Sequence, residues 1–125
     1  MTYKNKEVAE EFANYGTDES IKAKHFYFEQ DVLFSYGSHF PLCVRLKDGW
    51  IINKDGYSNT TARHKGCLVH SLGLNYKDIL ENCPKHIKLL TTQEIREFCF
   101  KHLNEKGLRF ITFDELNKLK IVKNL

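Results

Sequence analysis

No run in this 125-residue chain reaches the roughly 18 apolar residues that a membrane-spanning helix requires. The N-terminus is polar, so no secretory leader is visible in it. Linkers, low-complexity tracts and coiled-coil heptads are missing as well. So are a Walker loop, a dinucleotide fingerprint, a nucleophile elbow and a zinc-protease helix. Four cysteines, Cys43, Cys67, Cys83 and Cys99, are spread along the chain. Without a secretion signal they read as free thiols rather than bridges, which fits a cytoplasmic setting. What is left is one soluble domain over residues 1–125, large enough for a hydrophobic core.

Net charge is also scarce, at +3, but it is unevenly placed. Residues 1–40 are acidic on balance and residues 41–73 basic, with Asp48 and Asp55 the only carboxylates in that central part. The same part holds His64 and His70. A weak attraction for phosphates or acidic groups follows. The plain alternative is a solvated face without a partner.

The pattern of apolar residues predicts an α+β fold: a mainly antiparallel meander packed by helices on one side. Lys4 to Tyr15 reads as a helix with Val8 and Phe12 inward and Gly16 as its C′ residue. Ile21 to Phe28 reads as a strand with Phe26 and Phe28 on one face. Strands follow at Val32–Tyr36, Phe40–Leu46 and Trp50–Asn53, with Gly37-Ser38 as a type II′ turn and Phe40, Leu42, Val44 and Leu46 as one apolar face. Pro41, lacking a donor, belongs at an edge or at the mouth of a strand. A helix capped by Ser58 or Asn59 runs to about Leu72 and ends at Gly73. A short helix over Asn75–Cys83 turns Ile79 and Leu80 inward, and a strand follows at His86–Leu90. Thr91 and Glu94 form a capping box for a helix with Ile95, Phe98, Cys99 and Leu103 inward. Leu108–Phe113 reads as a strand, and Thr112 starts a last helix through Leu116 and Leu119.

This order has a geometric consequence. The Phe40–Leu46 strand runs away from the Gly37-Ser38 turn and the Trp50–Asn53 strand runs back towards it, so Tyr57 and Ser58 are expected beside His39. The first turn of the following helix then offers free N–H groups and the positive end of its dipole, flanked by Arg63, His64 and Lys65. His39, Tyr57, Ser58, Thr60, Thr61 and His64 are therefore expected at one end of the meander.

His39 and His64 are a candidate acid–base pair, one accepting a proton while the other donates, as metal-independent phosphodiester cleavage requires. Tyr57 or Arg63 would stabilise developing negative charge. The plainer reading makes His39 a hairpin residue, Ser58 a cap and His64 a solvated helix residue. Phe26, Tyr27, Tyr36 and Trp50 would stack on bases if they face outward, although most aromatics in such a chain are core. Arg45 and Arg109 are open to either reading. A separate regularity joins Cys67 to His70, Cys83 to His86 and Cys99 to His102. Cys and His three apart on a helix share a face, as zinc ligands must. Helical metal pairs usually match Cys with Cys or His with His, however, and Cys99 belongs to an apolar stripe. The preferred reading is buried thiols beside surface histidines, with no metal and no cofactor.

Ser35-Tyr-Gly-Ser-His-Phe-Pro-Leu42 and Tyr57-Ser-Asn-Thr-Thr-Ala-Arg-His64 resemble a small domain of phages, plasmids and other mobile elements, with the pattern SYGxHFPL…YSxTTxxH. The resemblance covers about residues 31–70. It implies no activity, but it implies that Tyr36, His39, Tyr57, Ser58, Thr60, Thr61 and His64 belong together. The pattern has a small residue where Cys43 stands and Gln where Lys65 stands, so it gives neither residue a role. A mobile-element origin points by analogy to contact with host nucleic acid or host defence, in the host cytoplasm if the chain is phage-encoded.

The expectation is a protein that binds an anionic ligand, with nucleic acid or a nucleotide the first choice. Tyr36, Tyr57, Ser58, Thr60, Thr61, Arg63 and Lys65 would line the site beside His39 and His64. Whether it is an enzyme stays open. One alternative is a metal-independent nuclease or phosphodiesterase using His39 and His64. Another is an inhibitor of a host defence protein that works by protein–protein contact.

Overall fold

A computed structural model describes residues 3–37, 40–56, 58–102 and 107–118. The first helix, α1, spans Asn5–Ala13 and buries Val8, Ala9 and Phe12. Its end differs from expectation. Tyr15 takes the left-handed conformation at φ 59°, and the Tyr15 and Gly16 amides donate to the Phe12 and Glu11 carbonyls. That is a Schellman closure with a tyrosine where glycine is usual. The Tyr15 hydroxyl, which donates to the Leu46 carbonyl, and its ring, packed on Trp50 and near Arg45, hold it there.

Strand β1 is only Phe26–Glu29. The expected run from Ile21 is cut short because Ala23 bridges back to Phe26, turning the chain at Lys24-His25. Phe26 and Phe28 are buried on one face as the alternation required. Strand β2, Val32–Ser35, pairs with β1, and β3, Pro41–Arg45, pairs with β2. A bulge near Leu33/Phe34 puts Pro41 opposite Phe34 and Cys43 opposite Leu33. Pro41 thus opens its strand at an irregular point, where a missing donor costs least. The expected Gly37-Ser38 turn lies partly outside the described residues. Strand β4, Trp50–Asn53, completes the antiparallel meander.

Helix α2 spans Asn59–Ser71, starts at Ser58 and stops before Gly73, whose φ is 75°. Helix α3, Tyr76–Glu81, follows, then β5, Ile87–Leu90. Strand β5 pairs with β4 in parallel, so the sheet order is β1-β2-β3-β4-β5 with one parallel junction. In α3, Ile79 is buried as expected, but Leu80 is 60% exposed. Helix α4, Thr92–Lys101, carries the expected Thr91/Glu94 capping box and buries Ile95 and Phe98; Leu103 lies outside the described residues.

Leu108–Phe110 is a short 3-10 turn rather than a strand. The buried Asp31 carboxylate takes the Arg109 amide, and the Gly107 and Leu108 carbonyls take the amides of Phe110 and Ile111. Among the described residues, Lys47 makes a strand-like contact, donating to the Ile111 carbonyl. Helix α5, Phe113–Lys118, buries Leu116; Leu119 lies outside the described residues.

Helices cover both faces of the sheet, not one. Trp50 and Ile52 pack with Phe12, Leu68 and Ile79 from α1, α2 and α3. Ile51, between them on β4, packs with Val44, Ile95, Phe98 and Leu116 from β3, α4 and α5. Neighbouring residues of a strand face opposite ways, so two helical layers are needed to bury both sets.

Three aspartates stitch the later elements onto the earlier ones. Asp55 Oδ2 accepts from the Thr92 amide at the start of α4. Asp31 Oδ2 accepts from the Arg109 amide in the 3-10 turn, and Asp48 accepts from the Phe113 amide at the start of α5. Each carboxylate thus meets an amide that the helix itself cannot satisfy.

Candidate functional site

Ser35 ends β2 fully buried, and it is where the sheet meets α2. Its Oγ lies 3.0 Å from Thr61 Oγ1 and 2.8 Å from His64 Nδ1. Ser58 Oγ accepts from the Thr61 amide at 3.1 Å, capping α2, and donates to Thr61 Oγ1 at 3.2 Å. One orientation satisfies each hydroxyl in turn: Ser58 donates to Thr61, Thr61 to Ser35 and Ser35 to His64 Nδ1. That leaves the His64 proton on Nε2.

His64 is 2% exposed and stacks on Phe26, with ring centroids 4.5 Å apart and planes 15° from parallel. Burial, helped by the nearby charge of His25, lowers its pKa from 6.5 to about 4. At neutral pH it is an uncharged imidazole inside the fold, not the solvated helix residue of the plainer sequence reading. Tyr36 sits above, its ring 6.5 Å from His64 and stacked on His25 at 4.8 Å. Tyr36 has φ 72°, a left-handed conformation unusual for a bulky residue. Such strain persists only where surroundings impose it. Here the Tyr36 amide donates to the His25 carbonyl at 2.8 Å.

On the neighbouring face of α2, about 100° round the helix from His64, lies a different environment. Asp55, Gly56, Ser58, Thr61, Lys65 and Tyr76 are among the residues lining a cleft of about 170 Å³. Lys65 is 8% exposed. Its Nζ donates to the Asp55 carbonyl at 3.2 Å and lies 5.0 Å from the centre of the Tyr76 ring. Burial lowers its pKa from the usual lysine value, and the Asp55 charge offsets part of that. Burial also raises the pKa of Tyr76.

The predicted site residues therefore divide. Tyr36, Ser58, Thr61 and His64 come together, and Lys65 joins Ser58 and Thr61 at the cleft. Arg63 is exposed and Thr60 half-buried, and neither lines the cleft. His39 and Tyr57 lie outside the described residues. The sequence reading missed Ser35, whose only signal was its place at the head of the motif. It also missed Tyr76, an aromatic at a helix start with no distinguishing neighbours.

Other predicted groups have structural roles. Phe26 and Trp50 are buried and present no outward base platform. Arg45 is fully buried: its Nε donates to Asp31 Oδ1 at 2.8 Å, Nη1 to the Phe12 carbonyl and Nη2 to the Gln30 carbonyl. Its guanidinium also lies over the Phe12 and Phe28 rings. Arg109 Nε reaches the same Asp31 oxygen at 2.8 Å. Cys67 packs with the first core cluster and Cys99 with the second, on opposite sides of the sheet. Cys83 is exposed, contrary to the buried-thiol expectation. Among the described residues no three His, Cys, Asp or Glu side chains are grouped to hold a metal ion, and no helix is long and apolar enough to cross a membrane.

The fold and site define an α+β domain in which the end of a meander meets a capped helix beside a small lysine-bearing cleft. The chain belongs to the DUF8033 family, a family of unknown function whose model matches residues 2–79. That span includes the cleft and all of the region 31–70. No curated protein and no solved structure matches the chain significantly.

Proposed function

We propose that this chain binds an anionic ligand, nucleic acid or a nucleotide, at the cleft beside α2. The observation that carries the reading is Lys65, a residue only 8% exposed in the cleft wall, whose Nζ has one carbonyl acceptor among the described residues. A desolvated cation with donors to spare favours an anionic group that brings acceptors. The first turn of α2 carries no acidic residue, and Arg63 is exposed on the same helix. The likeness of residues 31–70 to a phage and mobile-element domain supports host nucleic acid as the partner and the host cytoplasm as the setting.

The proton-transfer alternative draws less support. His64 is buried, uncharged at neutral pH and committed through Nδ1 to Ser35. Labelled RNA and DNA incubated with the protein in EDTA are expected to remain intact.

The test of binding is anisotropy with short labelled RNA and DNA across a salt series. Affinity should fall steeply as salt rises. Lys65→Met should weaken binding by about 1.5–3 kcal/mol, the worth of a hydrogen bond to a charged group. No binding at low salt sinks the proposal. Stoichiometric capture of a host protein, unaffected by Lys65→Met, would favour the inhibitor reading instead.

A further inference from the structure

We infer that the cleft seats a single terminal phosphoryl group, a phosphomonoester, while the nucleoside it belongs to stays outside. The inference rests on the anion-binding reading of the same cleft and narrows its ligand class.

Size is the first argument. A cleft of about 170 Å³ lies below the 300–1,000 Å³ typical of pockets that enclose a whole small-molecule ligand. It has room for one compact group.

Charge is the second. Among the described residues Asp55 is the one carboxylate lining the cleft, and its Oδ2 accepts from the Thr92 amide at the start of α4. What Asp55 turns to Lys65 is its backbone carbonyl. The ammonium therefore faces the cleft without a carboxylate bonded to it among the described residues. A phosphomonoester carries up to two negative charges and three free oxygens, whereas an internal phosphodiester carries one charge and two such oxygens. The Lys65 donors suit the former.

The third argument is Gly66, which stands inside α2 and also lines the cleft. Glycine in a helix interior is less stable than alanine. Packing does not demand it here, because a Cβ at this position would meet nothing within 4 Å. Its φ is not in the left-handed range either. The missing side chain keeps that wall of the cleft open.

The experiment compares one short oligonucleotide bearing a 5′-phosphate with the same oligonucleotide bearing a 5′-hydroxyl, by anisotropy on the full chain at low salt. A mononucleoside 5′-monophosphate and inorganic phosphate serve as competitors. The phosphorylated form should bind about tenfold more tightly, the scale of one charge-assisted contact. Lys65→Met should abolish that advantage, and so should Gly66→Leu, which leaves the lysine in place and puts a better helix former at 66. Urea unfolding confirms that each variant is folded. Displacement of the phosphorylated oligonucleotide by the mononucleotide supports the inference and makes a free nucleotide a sufficient ligand. Equal affinity for the two ends overturns the inference but leaves nucleic-acid binding standing. A phosphate preference unchanged in both folded variants also overturns it, by placing the preference elsewhere. If nothing binds, both readings fall.

Discussion

Acid should find this protein's weak point at His64. The folded imidazole titrates near pH 4, whereas an unfolded one titrates near 6.5. Between those values the unfolded chain binds the extra proton and the native chain does not. Stability therefore rises with pH across that window. The contribution is complete above about pH 6.5 and is lost as pH falls towards 4. Its full size is about 3 kcal/mol, from the separation of the two values at about 1.4 kcal/mol per unit. The cause is structural: an imidazolium would be pressed against Phe26, deprived of water, and unable to accept from Ser35 through Nδ1. The control is His64→Phe, which keeps a ring against Phe26 and cannot titrate. It should lower stability near pH 8, because Ser35 loses its acceptor. It should also remove the pH dependence that belongs to residue 64. Urea unfolding at intervals from pH 4.5 to 8 gives both curves, and their difference should change by about 1 kcal/mol per unit between pH 5 and 6. Parallel curves through that window would refute the buried, neutral assignment. So would an NMR titration of the His64 ring with its midpoint above pH 6.

Asp31→Asn takes the carboxylate from two guanidiniums at once, and with Arg45 fully buried it should cost about 3–5 kcal/mol in urea unfolding. Tyr36→Gly should be more stable than Tyr36→Ala by about 1 kcal/mol, since both lose the ring but only glycine accepts φ 72° freely. Gly49→Ala should destabilise by about 1–3 kcal/mol, because the new Cβ collides with the His86 carbonyl oxygen, the acceptor of the Trp50 amide. Thermal melts of the single variants check both the Gly49 and the Tyr36 statements.

Much of the fold was legible because short-range rules governed it. Ser58, Thr91 and Thr112 each precede a helix and each takes an amide of its first turn. Trp50–Asn53 stood out between two turn signals, with matching bounds. What escaped was set by distant partners. Leu108–Phe113 is apolar enough for a strand, but the buried Asp31 claimed the Arg109 amide and curled the segment. The run Trp50-Ile51-Ile52 already signalled a strand covered on both faces, a hint that the one-sided expectation overlooked. The site was half legible. Ser58, Thr61 and His64 share one hydrogen-bonded chain while Thr60 stands apart and His39 and Tyr57 lie outside the described residues, and the cleft depends on Tyr76 and Gly66, which the sequence order does not bring together.

The aspartate stitches have a consequence for how such a chain can vary. At Thr92 and Phe113, what Asp55 and Asp48 grip is peptide backbone, which every residue except proline supplies. The demand falls on where a helix begins, not on what it is made of. The starts of α4 and α5, past the family match, are tied in this way, and Arg109 in the 3-10 turn between them also lends a side chain. Segments of unrelated sequence could therefore be exchanged there, provided each presents an unbonded first amide to the same carboxylate and apolar residues to Val44 and Ile51.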